Sequence, residues 1–152
     1  MNSLSLICAV SRNPENVVSY AQGVISQFKP LMYHIGTDII EIARIEQAVN
    51  NRGERFLRRV FTDPELSHCQ MKPASLAACF AGKEAVYKAL GATRQGIGWR
   101  DIEILSESRT KPVVRLHGAA LNYAHKLGLD HLAISLAHSR EYAIAFVIGE
   151  TR

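Results

Sequence analysis

The sequence predicts an α+β fold, with a long central helix packed on an antiparallel sheet. Three observations predict it. The segment Pro73–Leu90 is rich in Ala, Leu, Lys and Glu, opens on proline and is closed by Gly91, which reads as one long helix. The other helical spacings lie mostly before it, and the strand-like runs mostly after it. The last two runs, His131–Ala137 and Tyr142–Ile148, are joined only by the short polar turn His138-Ser-Arg-Glu141, so they read as a hairpin. Helices first and hairpins later argue against a parallel, doubly wound sheet.

The remaining elements follow in order. Residues 1–31 are Ser-, Asn- and Gln-bearing, with Pro14 and Pro30, and read as an N-terminal extension with one weak helix at Val17–Phe28. Such a stretch is a disordered arm, an organelle leader or a start-site artefact, with Met32 as the alternative start. The domain proper is then 32–152. Tyr33–Ile40 is a short apolar run, expected as a buried strand, and Ile39, Ile42, Ile45 and Val49 recur at helical spacing. Arg55–Phe61 is a basic helical segment. Thr62-Asp63-Pro64-Glu65 has the form of a helix start, with Thr62 or Asp63 as cap. Gly91–Gly98 holds three glycines and reads as a loop. Ile102–Leu105 and Val113–Leu116 are strand-like about a turn near Ser108–Pro112. Ala119–Leu127 is a short amphipathic helix capped by Gly128.

Composition excludes several classes of function. The 152 residues are 47% hydrophobic and 21% charged, enough for a real core, so wholesale disorder is excluded. No window approaches the run of about 18 apolar residues that a membrane span needs. Residues 1–10 lack the basic start and cleavage pattern of a secretory signal. Three cysteines without a CxxC suit reduced thiols and a cytoplasmic setting. A net charge of +4 points mildly to an acidic partner or substrate.

Two carboxylates stand out. Asp38 lies inside an apolar strand, where a charge is costly unless paired or metal-bound. Glu84 lies deep in the best helix and shares a face with Lys88 at i+4, with Lys83 beside it. Spacing alone leaves two readings. One is an ordinary i, i+4 surface pair plus a capping aspartate. The other is a hard-cation site, since Mg²⁺ prefers one or two carboxylates together with phosphate oxygens, and a lysine nearby would meet the phosphates. His34, His68, His117 and His125 show no ligand spacing, so zinc is not indicated.

A resemblance bears on the choice. Ile35-Gly-Thr-Asp-Ile-Ile-Glu-Ile-Ala-Arg-Ile45 resembles the opening signature of the holo-acyl-carrier-protein synthases, the small class of 4′-phosphopantetheinyl transferases. Phe80-Ala-Gly-Lys-Glu-Ala-Val-Tyr-Lys-Ala-Leu-Gly91 resembles their second motif. Trp99-Arg-Asp-Ile-Glu-Ile104, Lys111-Pro112 and Ile134-Ser-Leu-Ala-His-Ser-Arg-Glu-Tyr-Ala143 match in order, so the likeness covers roughly 32–150.

The resemblance implies transfer of phosphopantetheine from coenzyme A to a serine of an apo acyl carrier protein, for fatty-acid synthesis, with adenosine 3′,5′-bisphosphate released. It implies Asp38 and Glu84 as Mg²⁺ ligands, Lys88 on the transferring phosphate with Lys83 nearby, and His138 as a phosphate or substrate contact. Glu84, Glu65 or a metal-bound water would take the serine proton. It also implies a homotrimer with sites between subunits, and a carrier protein docked on Arg44 and Arg55.

Five arginines (44, 52, 55, 58 and 59) against Glu46 and Glu54 give that region its positive charge, with Arg52, Arg55 and Arg59 near one helical face. Three departures are visible. The loop Gly91-Ala-Thr-Arg-Gln-Gly96 differs from the common Gly-Thr-Gly form, with Arg94 in it able to face phosphate. Cys79 stands where members often carry Arg, and reads as a buried, inert thiol. Ala133 stands where they usually carry His, with His131 two positions earlier on the same side of the strand. The reading from a different class is a non-catalytic basic module for RNA or an acidic protein. It would interleave its basic face with aromatics, and only Phe56 and Phe61 do so here. Neither nucleic acid nor membrane is therefore expected as a partner.

Overall fold

A computed structural model describes residues 32–91, 96–106 and 111–151. The expected extension 1–31, its helix at 17–28, and Arg94 lie outside the described residues. Five strands form one antiparallel sheet: β1 (Met32–Glu41), β2 (Ile102–Ser106), β3 (Pro112–Leu116), β4 (Leu129–His138) and β5 (Tyr142–Thr151). Their order is β1-β5-β4-β3-β2. The helices are α1 (Ile42–Val60), α2 (Asp63–Cys69), α3 (Pro73–Leu90) and α4 (Gly118–Leu127), with a 3₁₀ turn at Trp99–Asp101.

Helix α3 is the expected central helix, with proline in its first turn and Gly91 closing it in the left-handed region at φ 65°. It has little amphipathic character because it is buried nearly all round: Leu76, Ala77, Ala81, Ala85, Val86, Ala89 and Leu90 are all covered. Its small residues let the backbone lie close on the sheet. A Cβ on Gly82 would come within 3.2–3.3 Å of Ile134, Ile104 and Leu136. At Gly36 of β1 the approach is closer still, since a Cβ there would stand 1.9 Å from the Ala85 carbonyl oxygen and 2.6 Å from the Ala89 nitrogen. Gly36→Ala must push β1 off α3, and is expected to cost about 3 kcal/mol. Urea unfolding, read as a lowered midpoint at unchanged slope, measures this.

The expected buried strand at 33–40 is buried on one face only. Gly36 and Ile40 face α3, whereas Ile35 and Ile39 are 57% and 63% exposed on the other side. Ile39 therefore belongs to the strand alternation and not to the helical repeat that begins at Ile42. Helix α1 is broken at Gly53, whose φ 53°, ψ −137° is not helical. Arg52 precedes the break while Arg55 and Arg59 follow it, so the three do not share one continuous helical face. Helix α2 begins with a capping box: Thr62 Oγ1 accepts from Glu65 N–H, and Glu65 Oε2 accepts from Thr62 N–H at 2.7 Å.

Candidate active site

The chain leaves β1 antiparallel to α3. His34 Nδ1 meets the Ala89 carbonyl at 3.3 Å, and Gly36 packs at Ala85. Asp38 comes next along the strand and turns the same way as Gly36 and Ile40, toward the helix. Lys88 Nζ donates to Asp38 Oδ1 at 2.9 Å and to the Thr37 carbonyl at 2.7 Å. The Asp38 side chain is only 16% exposed, so this ammonium compensates a carboxylate largely withdrawn from water. Glu84 is half-buried one turn before Lys88 on the same helix face. The reading of Asp38 as a helix cap is incorrect, because Asp38 is mid-strand and the cap position of α1 is Glu41. Lys88 makes its ion pair with a strand 50 residues away, which an i, i+4 reading of α3 could not contain.

Lys83 is elsewhere. It is fully buried, with Nζ 2.8 Å from Glu65 Oε2 and 3.0 Å from the Trp99 carbonyl, and it also donates to the Ile102 carbonyl. An ammonium has three donors, and all three are used inside the protein. The expectation that Lys83 lies against phosphate is thereby corrected. It falls on the next side of the helix from Glu84 and points into the core. Glu65 is equally committed: besides Lys83 and Thr62 N–H, it accepts from Ile104 N–H at 2.7 Å and from Cys79 Sγ at 3.2 Å. A carboxylate so enclosed cannot serve as the base that takes a substrate proton. Sequence reasoning missed this pair. Its one visible signal was Glu65 at the third helical position after Thr62.

His138 ends β4, exposed, at the mouth of a cavity of about 260 Å³ lined also by His68, Cys69, Cys79 and Leu136. Leu136 and Asp38 both pair with Ala145, so β4 carries His138 two strands away from β1, roughly 10 Å across the sheet. Within one chain, then, His138 and Asp38 lie on strands separated by β5. Cys79 is buried, as expected, while His131 and Ala133 lie on the exposed side of β4. Arg44, Arg55 and Arg59 are exposed, and Arg58 is paired with Glu54 at 2.8 Å.

A conserved-domain comparison fits this architecture: the model of the 4′-phosphopantetheinyl transferase superfamily matches residues 34–147. The chain belongs to that superfamily. It is 50% identical over 121 residues to the holo-[acyl-carrier-protein] synthase of Herpetosiphon aurantiacus, covering 75% of this chain and 95% of the relative. It is 49% identical over 119 residues to that of Dehalococcoides mccartyi strain CBDB1, covering 78% and 99%. Among solved structures, Helicobacter pylori holo-[acyl-carrier-protein] synthase in complex with coenzyme A matches with a TM-score of 0.69 at 33% identity, over 76% of this chain and 98% of that one. The Neisseria meningitidis synthase matches with a TM-score of 0.69 at 32% identity, over 78% and 98%. The chain is accordingly an enzyme of the holo-[acyl-carrier-protein] synthase type.

Proposed function

We propose that the chain transfers the 4′-phosphopantetheine group of coenzyme A to a serine of an apo acyl carrier protein in the cytoplasm, for fatty-acid synthesis, releasing adenosine 3′,5′-bisphosphate. The observation that carries this reading is the sheltered Asp38 carboxylate held by Lys88, with Glu84 one turn along the same face. Attack of a serine hydroxyl on a diphosphate asks the protein mainly to position groups and offset negative charge. Lys88 does so at the transferring phosphate, exchanging one of its contacts on β1 for a phosphate oxygen. Enclosure removes Glu65 as the acceptor of the serine proton, which leaves Glu84 or a water on the metal for that role.

The donor set fits Mg²⁺. Among the described residues no group of three or more His, Cys, Asp or Glu side chains could hold a metal. A site of two carboxylates, Asp38 and Glu84, is what an ion completed by waters and substrate phosphates requires. When bound, the ion would neutralise and orient the diphosphate.

The separation of His138 from Asp38 supports assembly as a homotrimer, in which one subunit supplies Asp38, Glu84 and Lys88 and its neighbour supplies His138. The outer face of the sheet suits such assembly. Ile35, Ile39, Ile144 and Phe146 form a contiguous apolar strip across β1 and β5, with Phe146 46% exposed. No described helix is long and apolar enough to cross a membrane. Arg44 and Arg55, exposed on either side of the Gly53 break, dock the acidic carrier. Arg55→Glu is expected to raise KM for the carrier about tenfold with kcat little changed, and to flatten the salt dependence of kcat/KM. Steady-state kinetics at two ionic strengths checks this.

Mass spectrometry of an apo acyl carrier protein after incubation with the chain, coenzyme A and Mg²⁺ tests the function. A gain of one phosphopantetheine on serine is expected, and an unmodified carrier would refute the reading. A basic binding module would leave the carrier unmodified whatever its affinity.

A further inference from the structure

The 3₁₀ turn Trp99–Asp101 packs against the second half of α1, where Arg100 Nη1 donates to the Arg58 carbonyl at 3.3 Å. The turn is held firmly. The Trp99 carbonyl accepts from the buried Lys83 Nζ at 3.0 Å. The Trp99 ring stacks on Phe80 with centroids 4.9 Å apart, and meets Tyr87 edge-on at 5.6 Å. Asp101 closes the turn by accepting from Gly98 N–H at 2.8 Å. Arg100 is therefore carried on a backbone with little freedom left to lose on binding.

Its guanidinium keeps donors for a partner. The group has five N–H donors; one goes to Arg58, and Asp63 is reached only at 3.9 Å, with 48% of the Arg100 side chain exposed. A contact that loose between exposed side chains neutralises little. On the inner side of the turn, Phe80 and Glu84 are i, i+4 neighbours on α3. A run of contacts thus leads from Arg58 on α1 through Arg100, Trp99 and Phe80 to Glu84. Its outer end is a positive charge, its middle two half-buried aromatic rings, and its inner end the carboxylate of the transfer site. A carrier docked on the α1 arginines has to bring its serine to a diphosphate at Glu84, so it passes over this run. The acidic face that Arg55 attracts is attracted by Arg100 as well.

We propose that Trp99 and Arg100 form a second docking element for the acyl carrier protein, with Arg100 pairing an acidic side chain of the carrier and Trp99 packing beneath its serine-bearing segment. This element rests on the proposed function for its partner, with the carrier lying on Arg44 and Arg55. It adds a fixed point outside α1 that sets the angle of approach to Glu84. Arg100 touches no reacting group, so its effect falls on KM for the carrier and not on kcat.

The test replaces Arg100 in the full chain. Arg100→Glu is expected to raise KM for the carrier about tenfold, with kcat and KM for coenzyme A within about twofold of the parent. Lys126→Glu makes the same change of charge at an exposed position of α4, and is expected to move KM by less than about twofold. Arg100→Gln separates docking from a purely local role. Glutamine still donates to the Arg58 carbonyl, so a residue that only ties the turn to α1 would return to the parental KM. A docking charge leaves KM raised about threefold. Trp99 is the only tryptophan of the chain, and titration with a tryptophan-free apo carrier whose serine is replaced by alanine is expected to shift its emission. A parental carrier KM in Arg100→Glu or Arg100→Gln, or an emission unmoved at saturating carrier, overturns the second element while the parent still modifies the carrier. A parent that neither binds nor modifies the carrier overturns the proposed function, and this element with it.

Discussion

Asp38→Asn is expected to lower kcat/KM for carrier modification by about 10²- to 10³-fold while the fold survives. The substitution keeps shape and hydrogen-bonding capacity but removes the charge that would hold a cation against the diphosphate. Stability changes little, because the Asp38 partner, Lys88, is half exposed, and such pairs contribute about 1 kcal/mol or less. The two effects separate cleanly: the rate of phosphopantetheine transfer collapses while the thermal midpoint stays within a few degrees of the parent. A transfer rate equal to that of the parent would remove Asp38 from the metal site.

Lys83→Met has the opposite signature. Its ammonium is wholly enclosed with the Glu65 carboxylate at 2.8 Å, and removing it leaves a negative charge buried without its partner. The expected cost is about 3–5 kcal/mol. Glu65 also caps α2 and accepts from Ile104 N–H on β2, so the loss spreads to the joint between α2, α3 and the sheet. Pairing the change with Glu65→Gln removes the uncompensated charge and is expected to restore much of the loss, which urea unfolding of the single and double variants measures. The folded fraction of Lys83→Met should keep the parental kcat. A stable Lys83→Met with activity abolished would instead put Lys83 at the phosphates.

The contrast between Lys83 and Lys88 shows where the sequence was legible. Helix α3, its proline start and its glycine stop follow from local chemistry, and so do the β4–β5 hairpin and the Thr62 cap. Asp38 was conspicuous because a carboxylate in an apolar strand demands compensation. What supplied that compensation, Lys88, could not be read from spacing, because the contact spans 50 residues and depends on how β1 crosses α3. Lys83 and Lys88 are alike in composition and context along the chain. Only the rotation of the helix against the sheet sends one into the core and leaves the other at the rim. The half-exposed character of β1 was hidden for a related reason: Ile35 and Ile39 are apolar whichever face they take, so the run looked buried throughout. The break at Gly53 requires a positive φ that a glycine permits but does not announce.

Crystals grown with coenzyme A and Mn²⁺ in place of Mg²⁺ test the central claim most directly, through an anomalous difference map at the manganese edge. A single peak bridging the Asp38 and Glu84 carboxylates on the diphosphate is the predicted result. A peak ligated by other residues, or a diphosphate bound with no ion at that pair, would contradict it.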